Sequence, residues 1–159
     1  MNKYAFDHQR GFTLLELLVV IGIIGVLFGM ATISLLQTQH RASVSSAVDQ
    51  LISDLHTQQT KAMIGTKDTT GNANSYGVHI SASSYVLFQG TTDPQDATDF
   101  TVSPESIVLS TTAPSSSIDF AHGSGEIGGG PYTITVKNAY GTQQKVITID
   151  RYGVVTSVQ

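Results

Sequence analysis

One acid at the head of a long apolar run constrains this chain more than any other feature. Residues 10 to 22 read RGFTLLELLVVIG, and no charged residue follows Glu16 until Leu36 has been passed. About twenty helical residues rising about 1.5 Å each would cross the roughly 30 Å hydrocarbon layer of a bilayer. A carboxylate near the middle of such a layer costs on the order of 2.5–3.5 kcal/mol, so one that is tolerated needs a partner. The identity of that partner decides what the segment is for.

The flanks give an orientation. Lys3 and Arg10 precede the run, and only Arg41 follows it closely, so the short N-terminus is expected on the cytoplasmic side and the bulk outside. A secretory signal peptide fits poorly, because the run is too long and no small-x-small site closes it. An ordinary single-pass anchor explains the length and leaves Glu16 unexplained.

Beyond the run the pattern stays helical. Val44, Ala47, Val48, Leu51, Leu55 and Ala62 recur at steps of three and four residues, the spacing of one apolar helix face. Ser45, Asp49, Gln50, Asp54 and Gln58 are expected on the wet face. No glycine or proline interrupts residues 30 to 64, and Gly65 is a stop signal. The spacing therefore predicts one helix from about Phe12 to Ile64, apolar all round in its first half and striped in its second.

The stripe needs a surface to cover, and the rest of the chain supplies short strand candidates. These are YGVHI (76–80), SYVLFQ (84–89), SIVLS (106–110), SIDFA (117–121), YTITVK (132–137), KVITID (145–150) and GVVTSV (153–158). Residues 65–75 and 90–100 read as loops, and SASS joins the first two strands as a hairpin. The expected fold class is α+β, a long N-terminal helix packed on an antiparallel sheet or small β-sandwich. The expected divisions are 1–11 as a leader, 12–36 as the apolar helix, 37–64 as its amphipathic half and 65–159 as a β domain.

Composition excludes more than it assigns. The 159-residue chain has no cysteine, so no disulfide staples it. From Arg41 onward six basic residues face ten acids, a net of −4 with no basic stripe. A nucleic-acid surface is therefore not expected, since it normally needs clustered lysine and arginine. Asp93, Asp96 and Asp99 could gather around calcium, which takes oxygen ligands from flexible loops, but the spacing is not that of an EF-hand. HGSGE (122–126) holds a histidine, a serine and an acid without the spacing of a nucleophile elbow. His79 alternates with Val78 and Ile80 and is expected to point away from the core. With no catalytic or cofactor-binding constellation in view, the chain is not expected to be an enzyme.

GFTLLE at 11–16, directly before the apolar run and with basic residues upstream, resembles the cleavage and methylation segment of type IV pilins and type II secretion pseudopilins. The resemblance implies that a prepilin peptidase cuts the Gly11–Phe12 bond and methylates the new Phe12 amine. It makes Glu16 the assembly residue. The freed ammonium sits at the positive end of a helix dipole, and the Glu16 carboxylate of a neighbouring subunit is its implied partner. Gly22, Gly25 and Gly29 would let neighbouring helices approach closely, although glycine is common in membrane helices anyway. The implied partners are the peptidase, other pilin or pseudopilin subunits, an inner-membrane assembly platform and lipid.

The tail, through Phe120, Gly123, Ile147, Ile149 and Gly153, looks like the C-terminal part of the GspH/FimT group of minor pseudopilins. Two departures stand out. Ile33 occupies a place where many family members have proline, which implies a straighter helix. Arg151 alone, beside Asp150, replaces the arginines that DNA-binding members carry near the last glycine. The expected role is a minor fibre subunit, with a non-polymerising membrane-tethered binding module and a DNA-uptake pilin as alternatives.

Overall fold

The computed structural model describes residues 12–65, 75–90 and 99–159, with the side chains of 31–42 outside the description. The chain divides into two compact units, residues 1–38 and 39–159. Helix α1, Leu14–Ile64, supplies residues to both. It stops at Gly65, whose left-handed φ of 68° lets its N–H donate to the carbonyls of Lys61 and Ala62 (3.2 and 3.3 Å).

Eight strands follow: β1 (Tyr76–Ile80), β2 (Tyr85–Gln89), β3 (Phe100–Val102), β4 (Ile107–Thr111), β5 (Ser117–Phe120), β6 (Tyr132–Asn138), β7 (Gln144–Ile149) and β8 (Val155–Val158). They form two four-stranded sheets, ordered β3-β2-β1-β5 and β4-β6-β7-β8, and every described pairing is antiparallel. The chain thus leaves the first sheet for β4, returns for β5 and ends in the second. The α+β class expected from the sequence is the class observed, with two sheets. The SASS hairpin also forms, closed by the Ser81 N–H on the Ser84 carbonyl at 2.9 Å.

β3 corrects the expected 90–100 loop. Phe100 starts this short edge strand and lies largely in solvent, so the alternation that flags a half-buried strand is missing. The first pairing of β3 is Leu87 with Phe100, a contact that becomes visible only once β2 is in place.

The core lies in the second unit. Val44, Val48, Leu51, Leu55 and Ala62 on α1 are buried with Val78 and Ile118 of the first sheet and Ile134, Val136, Ile147 and Ile149 of the second. Burying one such branched side chain stabilises the fold by about 1.5–3 kcal/mol, so the stripe is a principal term in holding helix to sheets. Its steps of four and three continue through position 58, and here the expectation fails. Gln58 is 2 % exposed and belongs to the buried face. Its Nε2 donates to the carbonyls of Gly77 and Phe88 (3.1 and 3.3 Å), which face each other across β1 and β2. A polar residue can hold a core position when its amide finds acceptors there. Among the described residues its Oε1 finds no partner.

Asp54 is also less wet than expected. It is half-buried and accepts a 2.6 Å hydrogen bond from the hydroxyl of Tyr85, which is fully buried. Gln59 adds a third tether, donating to the carbonyls of Gly125 and Tyr152 (3.1 and 2.7 Å). Gly153 lies against it with φ of 76°, where a Cβ would sit 2.8 Å from the Gly125 carbonyl and 2.9 Å from the Phe120 ring.

Candidate functional site at the start of the helix

The candidate site begins with a helix cap. The backbone N–H of Glu16 donates to Thr13 Oγ1 at 3.2 Å, and the N–H of Leu17 reaches the Thr13 carbonyl at 3.1 Å. Thr13 is therefore the N-cap, and Glu16 is the third helical residue. The T-x-x-E spacing is that of a capping box. It satisfies one of the four amide donors that every helix start leaves open. It also holds the Glu16 carboxylate in the first turn, where the helix dipole favours negative charge. The sequence reading missed this role for Thr13, although the spacing was there to be read.

Among the described residues nothing covers the surface around the cap. Phe12 is 79 % exposed, and Leu14, Leu15, Leu18, Ile21, Ile23, Leu27 and Met30 are exposed on every side of the helix. A Cβ built at Gly22, Gly25 or Gly29 would meet nothing within 4 Å. An apolar surface of this kind marks a site of association, because soluble monomers rarely display one. Among the described residues no helix is long and apolar enough to cross a membrane. The described apolar side chains run only to Met30; those of 31–36, the remainder of the expected span, lie outside the description.

Other expected features fall elsewhere. Residues 1–11, with Gly11 and the basic residues before it, lie outside the described residues, as do Asp93 and Asp96. Asp99 is described, and among the described residues no group of three or more metal-ligating side chains is assembled. HGSGE forms a turn: Gly125 N–H donates to the Ala121 carbonyl and Ala121 N–H to that of Glu126 (2.9 and 2.8 Å). His79 faces away from the core cluster, as expected, and its Nδ1 lies 2.9 Å from Ser117 Oγ on the neighbouring strand.

Two titrating groups in the second unit are displaced from their ordinary ranges. Burial, followed by the hydrogen bond to Asp54 and the Asp54 charge, pushes the Tyr85 hydroxyl well up. Partial desolvation raises the Asp119 carboxyl, opposed by the charge of His79.

Residues 7–32 match the family described as the prokaryotic N-terminal methylation motif. The chain is 46 % identical over 48 residues to a protein of Escherichia coli (strain K12) described as type II secretion system core protein G. That match covers 30 % of this chain and 33 % of the relative, so the chain spans about a third of the length of the curated protein it resembles. No solved structure matches the chain.

Proposed function

We propose that the chain, whose N-terminal segment matches the prokaryotic N-terminal methylation motif and resembles type II secretion system core protein G, is a minor fibre subunit of the type IV pilin and pseudopilin kind. In this reading it is held in the cytoplasmic membrane with its N-terminus inside, cleaved at Gly11–Phe12 by a prepilin peptidase, and methylated on Phe12. It then enters a type IV pilus or a type II secretion pseudopilus.

The observation that carries the proposal is a capped, negatively charged first turn at the head of a helix that is exposed and apolar on all sides. Cleavage followed by methylation would place a secondary ammonium on Phe12, one residue before the Thr13 cap. Parallel packing of such helices brings each ammonium to the level of a neighbour's Glu16, while apolar contact supplies adhesion. An unpaired charge in that environment is costly, and docking relieves it. Gly22, Gly25 and Gly29 leave room for the approach. The chain would act by assembly, with no catalytic step of its own. Other subunits, the inner-membrane platform and lipid are its partners in this reading.

A Glu16→Ala variant tests it. The fibre reading expects cleavage at Gly11 to proceed and incorporation into fibres to be lost. A membrane-tethered binding module would show no change in either. The DNA-uptake alternative is disfavoured by Arg151, whose guanidinium lies 4.7 Å from the Tyr152 ring centre and has Asp150 as its sequence neighbour. It predicts salt-sensitive DNA binding by the chain.

A further inference from the structure

A cleft of about 280 Å³ opens between the edge strand of the first sheet and the start of β6. Ser115, Ser117 and Asp119 form one wall, and Ile127, Gly128 and Tyr132 form the other. Its size lies just below that of sites for whole drug-sized ligands, which suits the tip of one side chain.

The chemistry of the walls selects the tip. Asp119 stands on β5 two residues from Ser117, and Ser117 faces His79 across β1. Asp119 is exposed at the cleft, and partial desolvation raises its carboxyl against the opposing charge of His79. A carboxylate on the wall of such a cleft can form a charge-assisted hydrogen bond with an arriving cation. Ser117 Oγ is 2.9 Å from His79 Nδ1. Whichever of the two atoms donates in that contact, the hydroxyl oxygen keeps at least one lone pair for another N–H donor. Across the cleft, the Tyr132 hydroxyl donates to the Gly128 carbonyl at 3.4 Å, tying the ring to the loop beside it. A planar cation with several N–H groups matches an acid, a hydroxyl and an aromatic wall better than a spherical ammonium does. Ser115 adopts a left-handed φ of 52° at the rim, backbone strain of the kind that gathers at ligand sites.

The geometry points to a binding site for the guanidinium of an arginine carried by another protein chain, paired with Asp119 and flanked by Ser117 and Tyr132. This goes beyond the assembly reading and does not depend on it, since the cleft lies wholly within residues 114–132.

The test is a titration of the full chain in detergent micelles, followed by amide chemical shifts. The probes are a glycine-arginine-glycine peptide, the same peptide with citrulline in place of arginine, and free arginine. The expected result is saturable millimolar binding of the arginine peptide, with shifts confined to residues 115–119 and 127–132. The citrulline peptide should bind at least about tenfold more weakly, and so should the arginine peptide to Asp119→Asn. This nearly isosteric change at an exposed site leaves the core amides as a check on folding. Equal shifts with the citrulline peptide, or undiminished binding by Asp119→Asn, would overturn the site. Tighter binding of free arginine than of the peptide would overturn its assignment to a protein partner.

Discussion

Thr13 and Glu16 are linked by one hydrogen bond, and that bond separates two roles of the acid's neighbourhood. Thr13→Ala should cost the first turn about 0.5–2 kcal/mol, the usual value of a lost N-cap. The measurement is amide hydrogen exchange in micelles, with Glu16 and Leu17 exchanging faster while residues 44–62 stay unchanged. Glu16→Ala leaves the cap donor in place and should change assembly instead. Gln58 gives a second residue-level test. Gln58→Leu removes a buried amide oxygen without a described partner but also two donations to the Gly77 and Phe88 carbonyls, so it should cost about 1 kcal/mol in chemical denaturation. Gln58→Ala opens a cavity in the stripe and should cost about 2–4 kcal/mol. Tyr85 gives a pH dependence. Its folded hydroxyl holds its proton beyond the ordinary tyrosine range, so the folded state binds more protons than the unfolded chain once pH passes about 10. Stability should be intact below that point and fall as pH rises through it. Tyr85→Phe should lose about 1.5–3 kcal/mol at neutral pH, the worth of a hydrogen bond to a charged group, and show a shallower alkaline loss. The N-terminal motif was legible in the sequence because its pattern is local, although the capping role of Thr13 within it was missed. The Gln58 and Tyr85 contacts were hidden, since each depends on a strand at least 19 positions away.

At the scale of elements, periodicity carried most of the fold. The spacing of Val44, Val48, Leu51, Leu55 and Ala62 placed the buried face of α1 correctly, and alternation placed seven of the eight strands. Misreading position 58 came from weighing polarity above spacing; the steps of four and three run straight through it. β3 escaped because three residues with an exposed phenylalanine carry no pattern. The division of strands between two sheets was equally illegible, because alternation describes a strand's faces and not its neighbours. Gly153 shows how a turn residue can serve both strand and helix. Gly153→Ala would force a Cβ into a left-handed position already filled by Gln59, Gly125 and Phe120. A loss of at least about 1–3 kcal/mol is expected, with the Gln59 tethers to Gly125 and Tyr152 weakened first. Thermal unfolding with hydrogen exchange at the β7–β8 turn would measure both effects.

At the scale of the whole molecule, the two units differ in what completes them. Residues 39–159 contain the described buried cluster and hold it with tethers from α1 to the first sheet and to the turns at Gly125 and Tyr152. The described part of residues 1–38 displays apolar side chains with nothing of its own chain packed on them at Gly22, Gly25 or Gly29. That contrast suits the proposed fibre subunit, in which the apolar part would be covered by neighbouring copies. In the proposed reading, the pairing that drives assembly exists only if Phe12 carries a free, charged amine. The most direct measurement is therefore the intact mass of the chain recovered from the membranes of cells that contain a prepilin peptidase. A polypeptide beginning at Phe12 and bearing one extra methyl group is the predicted result; one that still carries residues 1–11 would contradict the account.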